Sequence, residues 1–148
     1  IGWDLVRHGA PEPYPYQGRR GPVVFVTNQF AGSDGDIVCA AAQELGLGPV
    51  VGQRSWGGVI GIDGRFDLVD GTSVTQPRYS FYFDQHGWGV ENHGVDPDRE
   101  HVMSPADWDD EDVRDPQLDL AVEEALRLLE QTPAKQPPPL PAPRNRRC

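Results

Sequence analysis

The hydrophobic pattern changes from a continuous run to a helical period between residues 21 and 46. Residues 23–26 are Val-Val-Phe-Val, an uninterrupted apolar run that is typical of a strand buried on both faces. The turn residues Gly32-Ser33-Asp34-Gly35 come next. Apolar residues then recur at helical spacing up to Gly46, at Ile37, Val38, Ala41 and Leu45. The pattern predicts a strand, a turn and a helix, in this order.

A second apolar run, Pro49-Val50-Val51-Gly52, follows the predicted helix. Two apolar strands joined by a helix predict a βαβ unit, with a parallel sheet and a right-handed crossover. We therefore predict an α/β fold for the chain.

The rest of the chain alternates between strand-like and helical segments. Apolar residues on both sides of Asp70-Gly71-Thr72 predict a hairpin, and residues 79–83 predict a further strand. Pro116 marks the start of a predicted helix with five apolar residues on one face: Leu118, Val122, Ala125, Leu126 and Leu129.

Both ends of the chain lack a regular period. Residues 1–20 are rich in proline and tyrosine and predict an irregular arm, whereas residues 132–148 are Pro-rich, then basic, and predict a disordered tail. An SH3-type groove could accept the Pro-rich segment, but a bare tail is the favoured interpretation. The opening Ile1-Gly2-Trp3-Asp4 is neither an initiator nor a leader, so we expect a preceding segment.

The composition restricts the class of protein. The net charge of −10 argues against nucleic acid or an anionic membrane as a main partner. No segment approaches the roughly 18 apolar residues of a membrane span. Cys39 is expected on a helix face and Cys148 ends the tail, so we expect no disulfide between them and a reducing, cytoplasmic setting.

Ser33 is the first candidate for chemistry. A serine between a buried strand and the first turn of a helix is exposed at the carboxyl edge of the sheet, among free backbone N–H groups. That is the setting of a nucleophile elbow, although Ala31 replaces the first glycine of Gly-x-Ser-x-Gly. The alternative is an ordinary helix N-cap, and the local pattern leaves both open.

Glu91 is the second candidate, because it lies among apolar and glycine residues rather than in a charged run. It is either a site residue or a structural hydrogen-bond acceptor. The glycine-dense segment 54–62 either admits another backbone closely, from the protein or from a peptide substrate, or is a simple hairpin, which the pattern favours.

The sequence assigns no general base. Four histidines are available, and His93 is expected to share a strand face with Glu91, but none is matched to Ser33: His8, His86, His93 and His101. Lys135 is the only lysine of the sequence and lies in the tail, so a Ser-Lys dyad cannot form within the chain. Metal-type Cys/His spacing is absent, so we expect no metal and no cofactor.

Five segments together carry a resemblance to a known family: residues 21–37, 54–61, 69–71, 87–98 and 114–118. In this order they resemble the C-terminal catalytic subdomain of the tricorn proteases, large cytoplasmic members of the tail-specific (S41) serine peptidases. The resemblance covers residues 1 to about 130 and leaves only the tail. It implies a crotonase-like or ClpP-like ββα fold, with a mostly parallel sheet and flanking helices, and a catalytic subdomain at residues 21–131.

The resemblance also implies roles for residues. Within a Ser-His-Ser-Glu tetrad, the nucleophile falls on Ser33 and the acidic member on Glu91. The Asp34 N–H would form half of an oxyanion hole, and Asp4 would favour basic side chains across a subunit contact. The histidine, the second serine and the second oxyanion glycine would lie upstream of Ile1.

The implied function is hydrolysis of short or unfolded peptides by a homo-oligomer, a hexamer in the family. The chain alone is expected to be inactive, because it lacks the histidine. The alternative is a non-catalytic crotonase-like module for assembly or peptide binding, with Ser33 only capping its helix. The gene upstream of Ile1 would distinguish the two.

Overall fold

A computed structural model describes residues 2–108 and 115–140 of the chain. The acidic residues 109–112 and the tail residues 141–148, with Cys148, lie outside the described residues. The chain forms two compact units. The terminal unit comprises Ile1–Pro22 with Leu128–Cys148, and the central unit comprises Val23–Arg127. The predicted boundaries near residues 20 and 131 stay predictions.

The described residues form a mixed α/β structure. In chain order its elements are β1 (Gly2–Asp4), β2 (Glu12–Tyr14), β3 (Phe25–Thr27), α1 (Asp34–Glu44), β4 (Val50–Gly52), β5 (Gly61–Asp67), β6 (Ser73–Tyr79), β7 (Arg99–Glu100), α2 (Pro105–Trp108) and α3 (Pro116–Gln131). A parallel sheet of order β3-β4-β7 is the main sheet of the central unit. The predicted α/β class with a parallel sheet is confirmed.

The predicted βαβ unit is β3-α1-β4, with Phe25 opposite Val50 in the parallel register. The expected burial of the first strand on both faces is wrong, since Val26 is 50% exposed. The fully buried strand is β4, where Val50 and Val51 are inaccessible to solvent. The reason is position: β4 lies between β3 and β7, and β3 pairs on one side only.

The buried face of α1 also differs from the helical pattern. Val38 and Leu45 are exposed, and the buried side chains are Asp36, Cys39, Ala40 and Ala42. Three of these are small, which lets the helix lie close to β3 and β4. They join Val50, Val59, Val90 and Val95 in the core.

The predicted hairpin is present as the antiparallel pair β5-β6, with Phe66 opposite Val74. The Thr72 N–H donates to the Asp70 carboxylate at 2.9 Å and closes the turn. A strand over residues 79–83 is wrong, because β6 ends at Tyr79 and Phe83 forms only an isolated bridge with Gly87. The short strand β7 was not predicted, since two residues carry no detectable period.

The predicted helix is α3, which begins at Pro116 as expected, but its apolar face is not the face that is buried. On the apolar face, Leu118, Val122 and Leu126 are each at least half exposed. The buried residues of α3 are Gln117, Ala121 and Glu124. The reason is polar pairing with the end of the sheet. Arg99 of β7 donates to Glu124 at 2.7 Å, and the Gln117 amide donates to the His101 carbonyl at 2.9 Å.

The terminal unit contains the antiparallel pair β1-β2, in which Asp4 lies opposite Glu12. The Arg20 guanidinium lies over the Trp3 ring, 4.7 Å from its centroid. The Lys135 N–H donates to the Arg20 carbonyl at 3.2 Å, although residues 133–140 form no helix or strand.

Candidate active site

Ser33 lies at the turn that joins β3 to α1, and its side chain is exposed. Its backbone has φ 55° and ψ −113°, a region that non-glycine residues rarely adopt. Its side chain makes no capping hydrogen bond. The cap alternative therefore lacks the contact that would define it. The turn instead holds an exposed serine in a strained backbone conformation, and a nucleophile elbow has the same two features.

The first turn of α1 leaves a free donor beside this serine. The Gly35 N–H donates to the Gly32 carbonyl at 2.9 Å, and the Ile37 N–H to the Ser33 carbonyl at 3.0 Å. Among the described residues the Asp34 N–H has no hydrogen-bond acceptor. A free N–H at a helix N-terminus attracts negative charge, so this donor can bind an oxyanion formed near Ser33.

Trp56 packs directly against the turn. A side chain at position 32 would overlap the indole ring, so this contact requires a glycine there. The Trp56 backbone N–H donates to the Ala31 carbonyl at 3.0 Å. The ring is 66% exposed, which places an apolar surface beside the candidate nucleophile. The glycine density of segment 54–62 is visible in the sequence, but the packing of Trp56 on Gly32 is not.

Glu91 has the contacts of a structural hydrogen-bond acceptor, one of the two alternatives that the sequence left open. Its Oε2 accepts hydrogen bonds from the backbone N–H groups of Val59 (2.7 Å) and Ile60 (2.9 Å). In this respect it is a structural acceptor. Its Oε1 has no hydrogen-bond partner among the described residues, so one carboxylate oxygen is still available.

Asp36 is the residue that the sequence analysis missed. It lies in the first turn of α1 and is 0% exposed. Oδ1 accepts from the Gly57 N–H (2.8 Å) and Oδ2 from the Gly58 N–H (3.1 Å). The spacing Ser33-x-x-Asp36 matches a capping box, which was the available signal. That pattern alone assigns the carboxylate to the Ser33 N–H, however, and not to a distant segment.

Two carboxylates thus hold four consecutive backbone N–H groups, those of residues 57–60. The Gly57 carbonyl in turn accepts from the Asn92 N–H at 2.7 Å. At the crossing, Gly57 and Gly94 have φ of 90° and 91°, and a side chain at either would overlap the facing backbone. The interpretation that the pattern favours, a simple hairpin, is wrong at this point, and the alternative holds: another backbone of the protein approaches this segment closely.

Backbone strain is concentrated at the same site. Within the described part of the chain, the non-glycine residues with positive φ are Ser33 (55°) and Asn92 (62°), and Asn92 directly follows Glu91. Each such residue costs of order 1–3 kcal/mol, which surrounding contacts must offset. Strain of this kind is typical of functional sites.

No histidine of the central unit contacts Ser33 in the described structure. The expected strand alternation of Glu91 and His93 is wrong, because both lie in a turn. His93 Nε2 lies 2.8 Å from Asp96 Oδ2, and His86 pairs with Glu44 and Gln43. The Gln85 N–H is the main cause of the lowered pKa of Glu44, and His86 adds to it. The His86 contacts join α1 to a loop, the His93 contact lies within that loop, and neither histidine is hydrogen-bonded to Ser33 in the described residues.

Asp4 lies in the terminal unit, exposed on β1 and opposite Glu12. Its role in substrate selection stays a prediction. Across residues 2–108 and 115–140, no group of three or more His, Cys, Asp or Glu side chains is arranged to hold a metal ion. In the same residues, no helix has the length and apolar character needed to cross a membrane.

The model of Peptidase family S41 matches residues 6–101, which is more than half of the chain. The chain belongs to peptidase family S41. It is 61% identical over 141 residues to Tricorn protease homolog 1 of Streptomyces coelicolor. It is 46% identical over 129 residues to Tricorn protease of Thermoplasma acidophilum. These alignments cover 95% and 87% of this chain.

A solved structure supports the same relationship. The chain matches the crystal structure of the tricorn protease with a TM-score of 0.78 and 46% identity over 88% of its length. The chain covers 13% of the Streptomyces coelicolor relative, 12% of the Thermoplasma acidophilum relative and 12% of the solved chain. The chain therefore spans about one eighth of the length of these relatives.

Proposed function

We propose that this chain is the C-terminal part of a tricorn-like serine peptidase and supplies three components of its active site. Ser33 is the nucleophile, the Asp34 N–H is half of the oxyanion hole, and Glu91 is the acidic member of the tetrad. The observation that carries the proposal is the exposed Ser33 side chain, held on a strained turn without a capping bond.

The proposed reaction is acyl transfer to Ser33. The Oγ loses its proton to a histidine and attacks the peptide carbonyl carbon, while the carbonyl oxygen gains negative charge near the Asp34 N–H. The C–N bond then breaks, and the histidine returns the proton to the leaving amine. Water repeats the sequence on the acyl-enzyme and releases the second product.

The histidine and the second serine of the tetrad come, in this proposal, from residues outside the chain. The free Oε1 of Glu91 is the atom that would support them, because Oε2 is already occupied by two N–H groups. The chain expressed alone should then show no turnover, since loss of a base costs on the order of 10⁴- to 10⁶-fold in kcat. Cleavage by the isolated chain that Ser33→Ala abolishes would show that a local histidine serves.

We propose the finer features of organisation on the same basis. The catalytic subdomain is crotonase-like and spans residues 21–131, after an arm at residues 1–20 and before a disordered tail at 132–148. The full-length protein is a cytoplasmic hexamer that hydrolyses peptides.

The competing proposal is a non-catalytic module for assembly or peptide binding. It is favoured by the lack of any histidine hydrogen-bonded to Ser33 among the described residues.

Turnover by the full-length protein distinguishes these proposals. Fluorogenic peptides that end in Arg or Lys should be cleaved by the unmodified protein and not by Ser33→Ala. Ser80→Ala is the matched control, because Ser80 is also an exposed loop serine and has no proposed role. Equal cleavage by Ser33→Ala and by the unmodified protein would leave the binding module as the better account.

Asp4 is proposed to select basic side chains before the scissile bond. Asp4→Asn should lower kcat/KM for peptides with Lys or Arg at least about tenfold more than for apolar peptides, because it removes a charge that pairs with the substrate. Glu12→Gln is the matched control, since Glu12 lies opposite Asp4 on β2. An equal loss for both peptide classes would make Asp4 a structural residue.

A further inference from the structure

We infer that Asp36 is a positioning residue of this active site, which fixes the Ser33 turn relative to Glu91 through the segment Gly57–Ile60. The inference rests on the proposed function of Ser33 and assigns a role to a residue that does not itself react. Asp36 follows Ser33 by three residues and lies on the buried side of α1.

The Asp36 carboxylate lies inside the protein. Asp36 is 0% exposed, and a buried carboxylate is costly unless hydrogen bonds satisfy it. Its two oxygens are each satisfied by one backbone N–H, from Gly57 and Gly58, at 2.8 and 3.1 Å. Charge-assisted hydrogen bonds of this kind are stronger than neutral ones, so they fix the backbone of the segment firmly to the first turn of α1.

The segment Gly57–Ile60 continues from Asp36 toward Glu91. The next two N–H groups, of Val59 and Ile60, both donate to Glu91 Oε2. The Asn92 N–H donates to the Gly57 carbonyl, so the backbone after Glu91 is tied to the segment as well. The position of the Glu91 carboxylate therefore depends on where Asp36 holds residues 57 and 58.

Trp56 contacts the residues that precede Ser33 in the turn. The Trp56 N–H donates to the Ala31 carbonyl at 3.0 Å, and the Trp56 ring packs on Gly32. The residues before Ser33 and the helix after it are thus both held by one segment, at Trp56 and at Gly57–Gly58. Loss of Asp36 releases one of these two attachments and lets Ser33 move relative to Glu91.

The test is Asp36→Asn in the full-length protein. An asparagine keeps one acceptor oxygen but turns an NH₂ group toward the second backbone N–H. We expect kcat and the rate of labelling by an organophosphonate probe to fall by about 10²-fold, the typical cost of a small misplacement of reacting groups. KM should stay within about threefold, because Asp36 does not touch the substrate.

Asp98→Asn is the matched control. Its Oδ2 also accepts a backbone N–H, from Val50 at 2.7 Å, but this bond lies in the parallel sheet. Labelling and kcat of this variant should stay within about twofold of the unmodified protein. If Asp36→Asn fails to fold, Asp36→Glu is used instead, since it keeps both carboxylate oxygens and only shifts them by one methylene, and the same fall in labelling is expected.

Each outcome decides the inference. Labelling of the Asp36 variant at the unmodified rate overturns it, and so does an equal loss in Asp98→Asn, which would indicate general loosening. A rise in KM without a fall in kcat also overturns it. If the unmodified protein neither cleaves peptides nor reacts with the probe, the proposed function fails and the inference fails with it. If the unmodified protein and the Asp36 variant are labelled at the same rate, only the positioning role of Asp36 is rejected, and the proposed function of Ser33 stands.

Discussion

Asp36 on α1 and Glu124 on α3 are both buried carboxylates, 0% and 4% exposed, but their partners differ in kind. Asp36 accepts from two backbone N–H groups of one segment. Glu124 accepts from two guanidinium groups, those of Arg99 on β7 and Arg127 on its own helix. One carboxylate therefore fixes main chain, and the other forms an ion-pair network between a helix and a strand.

The difference has consequences for function and for pH dependence. Main-chain N–H groups do not titrate and cannot turn away without deforming the backbone, so the Asp36 contacts can hold the Ser33 turn in one position. The hydrogen bond from Arg127 is the main cause that lowers the pKa of Glu124 to about 2, and the bond and charge of Arg99 add to it. Glu124 thus contributes to stability in a pH-dependent way, outside the candidate site.

The largest expected effect comes from Asp36→Ala, which removes both acceptors at once. The N–H groups of Gly57 and Gly58 would lose their acceptors, and each unsatisfied buried group costs roughly 1–3 kcal/mol. Hydrogen exchange by mass spectrometry of the full-length protein should show lost protection over residues 56–60. Unchanged protection there would mean that other contacts hold the segment.

The next effect in size is expected for Glu124→Gln. The Glu124 pKa is lowered from 4.5 to about 2 in the folded protein, so its stabilising contribution is fully present above about pH 4.5. The contribution is lost as the pH falls through about 2. Thermal melting should therefore show a stability gap between the two proteins at pH 6 that narrows below pH 4.5. A gap independent of pH would contradict the ion-pair account.

A smaller effect, of opposite sign, is expected at Ser33 itself. Glycine tolerates the φ of 55° that strains serine, and relief of part of the usual 1–3 kcal/mol strain should stabilise Ser33→Gly by about 1 kcal/mol. The same substitution should abolish turnover. Ser33→Ala should change the stability little, since no capping bond is lost. A loss of about 1 kcal/mol in Ser33→Ala, measured by denaturant unfolding, would restore the cap alternative.

The smallest effect is expected on the exposed side of α3, opposite Glu124. Leu126 is 58% exposed, and surface substitutions usually change the free energy of unfolding by less than about 0.5 kcal/mol. Leu126→Ala should stay within that limit in denaturant unfolding. A cost of about 2–5 kcal/mol, as for a buried leucine, would show that this face of α3 is covered in the full-length protein.

Local patterns in the sequence predicted the parts of the fold that depend on neighbouring residues. The run at residues 23–26, the glycines around Ser33 and the helical period after it were enough to predict β3-α1-β4. The turn at residues 70–72 was likewise enough for the hairpin. These signals come from backbone preferences within one element or one turn, which is why they could be read without the structure.

Burial could not be predicted in the same way, because it depends on residues far apart in the chain. The apolar period of α3 places Leu118 and Leu126 on one face, but the buried face is another one, where Glu124 pairs with Arg99. The buried role of Asp36 depends on two glycines about 20 residues later, whose N–H groups no sequence pattern marks as unpaired. For the candidate site, the sequence therefore indicates Ser33, Glu91 and the glycine-dense segment 54–62, but not the hydrogen bonds from Asp36 that join them.

The most direct test of the central claim is the position of a covalent adduct. The full-length protein, treated with an organophosphonate probe and digested, should carry the probe on Ser33 and on no other serine, as identified by tandem mass spectrometry. Heat-unfolded protein and Ser33→Ala should carry none, because the reactivity depends on the folded turn and on the nucleophile. An unlabelled Ser33 in folded protein that cleaves peptides, or equal labelling of exposed serines such as Ser80, would contradict the account.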